Sequence, residues 1–214
     1  MPNVPPDDAA RVMPRVVTLG QGTTLTRMHS AELGAIEFNH RAANDPYQGG
    51  RFDSVDGEYG YLYAGQDADV AVAEVLLRDV PPGQKRYLPC AAVRGRMLSE
   101  IVVGHPLDVV SLRGRDLGHI GQDTWLTKSE AADYPFTRRW AKAIRGWAPR
   151  AAGFAWRARH DEDREAYVLF DDRTPPGSLV FADSSRRTDA GVGLKEVRRI
   201  LAGHNVMLDC GGVS

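Results

Sequence analysis

The chain has 214 residues, with 27 Lys and Arg against 28 Asp and Glu, for a formal net charge of −1. That balance excludes a globally basic nucleic-acid coat and an acidic disordered tail. A chain of this length buries roughly 70% of its unfolded surface, so its core needs no disulfide or metal staple. Cys90 and Cys210 are too few for a secreted disulfide scaffold and too far apart for a metal knuckle, and are expected as reduced thiols.

Residues 1–24, rich in Pro, Gly and Thr, read as an amino-terminal arm or edge segment. Met1–Asp8 carries neither the basic region nor the apolar run of a signal peptide, and the apolar stretch Val70–Leu77 is far short of a membrane span. A cytoplasmic location without membrane contact is therefore expected. Leu25-Thr26-Arg27-Met28 is β-compatible. Turn residues crowd Ala42–Gly50, a second turn follows at Arg51-Phe52-Asp53-Ser54, and a short aromatic strand is predicted at Tyr59–Ala64. Asp67 or Asp69 can cap a helix over Ala68–Arg78, stopped by Pro81-Pro82-Gly83. Strands are predicted at Met97–Val103 and Leu107–Leu112, then a helix from Lys128 to Gly146 interrupted at Pro135. Strands at Gly153–Arg159, Ala166–Phe170 and Leu179–Ala182 lead to a helix at Gly193–Ala202 and a last strand at Val206–Asp209. Strands outnumber helices and do not alternate with them, which favours an α+β fold and one domain, residues 25–214, behind the arm.

Several signatures of chemistry are absent. There is no phosphate-binding Gly-x-x-x-x-Gly-Lys loop, no Gly-x-Gly-x-x-Gly, no His-x-x-x-His, no Cys-x-x-Cys and no Gly-x-Ser-x-Gly, so no metal is expected. One local anomaly remains. In Val70-Ala71-Val72-Ala73-Glu74-Val75-Leu76-Leu77, Glu74 is the single carboxylate in an apolar run on a predicted helix. Such a group is paired, protonated or part of a site, because an isolated buried charge is costly. Its structural alternative is a partner for an arginine. Gly49-Gly50-Arg51-Phe52 offers an anion grip, with glycines for close approach and a guanidinium for bidentate bonding; the alternative is a solvated surface turn. Arg27 lies in a strand segment, where the ordinary reading is an edge charge. Tyr63 closes an aromatic cluster, and is either packing or a ring that stacks on a flat ligand.

The order of these pieces, Arg27, then Gly50-Arg51-Phe52, then Leu62-Tyr63-Ala64, then Ala71-x-x-Glu74, resembles the amino-terminal half of RES-domain proteins, a family that includes toxins of toxin–antitoxin pairs. Weaker similarity continues through Arg96-x-Leu98, Leu107–Leu112 and Gly153-Phe154-Ala155-Trp156. The resemblance implies an ADP-ribosyltransferase-like core of mixed and antiparallel sheets with flanking helices. It implies an NAD+-degrading toxin that cleaves the nicotinamide–ribose bond and passes ADP-ribose to phosphate or water. NAD+ would be substrate, with Arg27 and Arg51 on its phosphates, Tyr63 on the nicotinamide or its ribose, and Glu74, Tyr63 and Arg51 as the catalytic set. The implied partner is an Xre-type helix-turn-helix antitoxin, nucleic acid being reached only through it, and a homo-oligomer is left open. One departure stands out. Where the family often has Ser in Gly-x-x-aromatic-x-Ser-Arg, this chain has Ala158 in Gly153-Phe154-Ala155-Trp156-Arg157-Ala158-Arg159; Ser99, Ser111 and Ser184 are the substitutes considered.

Two rival functions stay open within that resemblance, a protein mono-ADP-ribosyltransferase and a catalytically inactive RES-like binding module. A third comes from the residues alone. Seven Lys and Arg lie between Arg138 and Arg159 with no acidic residue, interleaved with Trp140, Trp147, Phe154 and Trp156, as in a single-strand nucleic-acid grip. The stronger reading of that stretch is an amphipathic helix with core tryptophans and a solvated basic face, followed by the repelling Asp161-Glu162-Asp163.

Overall fold

The period-two alternation of the carboxy-terminal half builds a sheet with two different cores. In the computed structural model, which describes residues 4–5, 12–42, 49–81, 83 and 86–211, ten strands are formed. They are β1 (Val16–Leu19), β2 (Thr24–Ser30), β3 (Tyr61–Gly65), β4 (Arg86–Pro89), β5 (Arg96–Val103), β6 (Leu107–Leu112), β7 (Gly153–Ala158), β8 (Asp161–Phe170), β9 (Leu179–Arg187) and β10 (Val206–Asp209). The helices are α1 (Ala68–Leu76), α2 (Gly114–His119), α3 (Trp125–Lys128), α4 (Tyr134–Trp147) and α5 (Gly191–Gly203). Eight strands form one sheet in the order β1-β6-β7-β8-β3-β2-β5-β9, while β4 and β10 pair separately in parallel. Within the large sheet only β6 and β7 run parallel, and the helical segment α2–α4 supplies the crossover that such a pair requires.

On β8, Ala166, Val168 and Phe170 point one way and Tyr167 and Leu169 the other. The first set joins Phe154 and Trp156 of β7 and packs against Leu117, Leu126, Trp140 and Ile144 of α2, α3 and α4. The second set joins a cluster that contains no helix residue and draws side chains from all eight strands, from Leu19 of β1 to Leu179 of β9. Side chains from both edge strands of the sheet thus belong to one core. A third cluster sets Met28 and Leu98 against α1 and α5. This is the α+β arrangement expected from the sequence, a large mixed sheet with flanking helices.

The elements depart from expectation where a local rule was read too simply. The helix expected from Lys128 begins at Tyr134, because Pro135 sits in its first turn, where a missing N–H costs nothing. The strand expected from Ala166 begins at Asp161, since its charged end is partly exposed and carries its acidic residues in solvent. β4, α2 and α3 have no clear periodic signal. Cys90 and Cys210, expected as reduced thiols, are joined as a disulfide with Cα atoms 4.9 Å apart, because the β4–β10 pairing brings two distant segments together. Residues 1–3 and 6–11 of the expected arm, 43–48 of the Ala42–Gly50 turn and Pro82 of the helix stop lie outside the described residues. Among the described residues no helix is long and apolar enough to cross a membrane.

Candidate active site

The large sheet is interrupted at its centre. β2 and β3 share one register pair, Thr26 opposite Gly65, whereas β2 makes seven pairs with β5 and β3 makes five with β8. Beyond that rung the two strands diverge, and between them lies a cavity of about 330 Å³ lined by both strands, by α1 and by the Gly49–Asp53 turn. Gly65 is needed at the closed end, since a Cβ there would come 2.6 Å from the backbone nitrogen of Ala71 in α1.

α1 starts at Asp67, whose carboxylate accepts from the Val70 N–H at 3.0 Å. The helix is apolar on almost every side, and Val70, Ala71, Val72, Ala73 and Leu76 are buried. Glu74 is the exception: its carboxylate faces the cavity, with its side chain 16% exposed. One oxygen accepts from the Arg159 N–H at 2.7 Å, and the other lies 3.7 Å from Nη1 of Arg51. The carboxylate is therefore fixed by one main-chain donor and one guanidinium while keeping a face to the cavity.

The Gly49–Asp53 turn is held from several sides. The Gly50 N–H donates to Asp53 at 2.6 Å, and the Tyr63 hydroxyl donates to the other Asp53 oxygen at 2.8 Å while accepting from the Phe52 N–H at 2.9 Å. From α4, Thr137 donates to the Arg51 carbonyl at 2.7 Å and Arg138 to the Gly50 carbonyl at 3.1 Å. A Cβ on Gly50 would lie 2.7 Å from both Asp53 and the Tyr63 hydroxyl, so this position requires glycine. Burial raises the Asp53 pKa, and burial together with Asp53 raises that of Tyr63, which keeps the phenol protonated. Arg51, 5% exposed, donates to the Ser129 carbonyl at 3.3 Å and lies 5.7 Å from the centre of the Tyr134 ring.

Arg27 projects from β2, and its Nη1 donates to the carbonyls of Gly34, Ala35 and Glu37 at 3.1, 2.9 and 2.6 Å. Burial lowers its pKa to about 10, partly offset by Glu37, so it remains cationic near neutrality. Two residues along, His29 contacts the Ser30 carbonyl through Nδ1 at 2.8 Å. A carbonyl only accepts, so Nδ1 carries the proton and Nε2 accepts from Ser99 at 2.8 Å; Ser99 in turn bonds Ser185. Burial, then Arg27, lowers the His29 pKa, and burial lowers that of His160. Below about pH 6.5 the unfolded chain takes up protons that the folded histidines refuse, so stability is lost as pH falls through that region. The urea midpoint is expected to drop from pH 7.5 to 5.5, and His29→Gln to make that drop smaller.

All four residues singled out in the sequence, Arg27, Arg51, Tyr63 and Glu74, line this cavity. Asp53, Arg78, Arg96 and Tyr134 line it too, and were missed. Arg78 follows Glu74 by four residues, a spacing that could have found it; Arg96 stood only in the weak Arg96-x-Leu98 similarity, and its place at the cavity comes through the β2–β5 register opposite Ser30. Ala158 is fully buried in the helix-side core. Ser99 bonds His29, Ser111 donates to Asp116 at 2.6 Å and Ser184 lies on β9; none of the three lines the cavity. Ser129 touches this machinery through its carbonyl, and its buried hydroxyl has no partner among the described residues. In the basic and aromatic stretch, Trp140, Phe154 and Trp156 are at most 1% exposed and Trp147 is partly buried against the same core. Arg145 from that stretch is buried over the Tyr59 and Phe170 rings, 3.7 and 4.2 Å from their centres.

The RES domain family model matches residues 24–189, a span containing every cavity residue named above. No curated protein matches the sequence. Among solved structures, a chain of the M. tuberculosis MbcT–MbcA toxin–antitoxin complex is similar, with a TM-score of 0.61 and 18% identity over 86% of this chain and 92% of that one. At that identity the likeness is one of fold.

Proposed function

The chain belongs to the RES-domain family, and from that membership and the cavity we propose that it cleaves the nicotinamide–ribose bond of NAD+ and transfers ADP-ribose to phosphate or water. It would act in the cytoplasm as the toxin of a toxin–antitoxin pair, with residues 25–214 as the catalytic unit and an Xre-type helix-turn-helix protein as antitoxin. The solved relative comes from a toxin–antitoxin complex, which supports that partner class.

The observation that carries this reading is Glu74, held by Arg159 N–H and Arg51 at the wall of an arginine-lined cavity beside Tyr63. Breaking the glycosidic bond sends its electron pair to nicotinamide, which leaves neutral, and positive charge grows on the ribose carbon. A fixed carboxylate stabilises that charge more than it stabilises the ground state. The acceptor oxygen then bonds to the same carbon and gives its proton to solvent. Tyr63, held protonated by Asp53, supplies a rigid ring against the ligand, and Arg27 and Arg51 keep the inner wall positive for its phosphates.

Purified protein incubated with NAD+ is expected to release free nicotinamide, measured chromatographically. ADP-ribose as co-product identifies water as acceptor, and phosphorylated ADP-ribose in phosphate buffer identifies phosphate. Intact NAD+ under all these conditions, with a folded protein, overturns the proposal.

A further inference from the structure

Four arginines line the cavity, and their guanidinium groups are not equally engaged. Nη1 of Arg27 is taken up by three carbonyls, and Arg51 is divided between Ser129 and Glu74. Arg96 differs. Its backbone is anchored at the start of β5, where its carbonyl accepts from both the N–H and the hydroxyl of Thr188 at 3.1 Å. Its Nε donates to the Ala92 carbonyl at 3.1 Å, which holds the fork from behind. Among the described residues, neither Nη has a hydrogen-bond partner and no carboxylate lies within 4.0 Å.

Arg78 lines the same cavity from the end of α1. It donates to the Gly49 carbonyl at 2.8 Å, lies 5.8 Å from the centre of the Tyr134 ring and pairs with Asp79 at 3.0 Å. The two arginines are near enough that Arg78, after burial, lowers the Arg96 pKa. Of these two cations at one space, Arg78 is held by the Asp79 carboxylate and the Gly49 carbonyl, while Arg96 has no counter-charge among the described residues and is stabilised when an anion enters. Planar guanidinium forks match phosphoryl oxygens, and forks from two separate elements suit two linked phosphoryl groups.

We infer that Arg96, together with Arg78, is the seat of a diphosphate, gripping the linkage between the two halves of a dinucleotide. This rests on the proposed NAD+ reading and adds to it the groups that hydrogen-bond the phosphates directly. Inorganic phosphate shares the chemistry, so the test separates a single phosphoryl group from a linked pair.

Wild-type protein, Arg96→Gln and Arg96→Lys are titrated calorimetrically with inorganic pyrophosphate and with inorganic phosphate. The same proteins are assayed with NAD+ and with nicotinamide riboside, which has the scissile bond but no phosphate. Pyrophosphate is expected to bind more tightly than phosphate, and Arg96→Gln to weaken it about tenfold or more, with Arg96→Lys losing less. The loss in kcat/KM is expected to be at least about tenfold larger for NAD+ than for the riboside, mostly in KM. Equal losses for the two substrates, unchanged pyrophosphate binding in Arg96→Gln, or tighter binding of phosphate than of pyrophosphate would each overturn the assignment. Where wild type cleaves neither substrate, the proposed function fails, and the pyrophosphate titrations alone decide the seat. Arg78→Gln, checked by circular dichroism, carries the same measurements if Arg96→Gln does not fold.

Discussion

Glu74→Gln is expected to lower the rate of nicotinamide release about 10²–10³-fold, the loss typical when a group that stabilises transition-state charge is removed. Glutamine has the same shape, and its amide oxygen can still accept from the Arg159 N–H that holds Glu74 at 2.7 Å. What disappears is the negative charge facing the cavity, where the proposed reaction places the ribose carbon. Stability should fall as well, because the substitution takes away the carboxylate 3.7 Å from the buried Arg51 guanidinium. The melting temperature is therefore expected below that of wild type, and the chromatographic assay is run at a temperature where circular dichroism shows both proteins folded. Wild-type turnover in this variant would remove Glu74 from the chemistry and leave it a structural partner of Arg51.

Trp156→Ala is expected to act the opposite way, first on the fold. The indole is 1% exposed and meets the Phe52 ring edge-on at 5.3 Å and the Tyr63 ring at 6.3 Å. Removing a buried aromatic of this size costs about 3–5 kcal/mol, the transfer term plus the cavity left behind. Urea denaturation should show that loss as a lower midpoint with a similar slope. Trp156→Phe should recover most of it, since the buried indole N–H has no partner among the described residues and forfeits no hydrogen bond there. A midpoint shift worth less than about 1 kcal/mol for Trp156→Ala would show that this corner of the core repacks freely.

How far these residues were legible in the sequence depended on whether the signal was local. Glu74 announced itself because one carboxylate broke an apolar run, and Asp67 did so as a capping residue; both belong to α1. The alternation at Ala166–Phe170 and the strand at Leu107–Leu112 were equally visible, because each side chain's face is fixed by its neighbours two residues away. Arg96 showed only as part of a weak similarity and Asp53 only as a turn residue. Their roles come from the β2–β5 register and from the Tyr63 hydroxyl, neither of which any periodicity encodes. The Cys90–Cys210 pair was misread for the same reason, since only the parallel pairing of β4 with β10 places the two thiols side by side. The basic tryptophan-rich stretch misled in the other direction, its aromatic rings being spent on the core.

The single rung between β2 and β3 has a consequence for solubility. Unpaired strand edges are templates on which other chains add, and a sheet usually presents two of them, here β1 and β9. The parting creates two more, the β3 side shortened by the Asn39–Tyr61 bridge, and they face each other across a space walled by charged and aromatic side chains. Each lip also keeps an unbroken ladder along its far side, so neither strand depends on a foreign one for its stability. Opening a sheet from within leaves peptide groups facing a cavity while withholding them from intermolecular pairing, a separation that a pocket cut into an outer strand would not achieve.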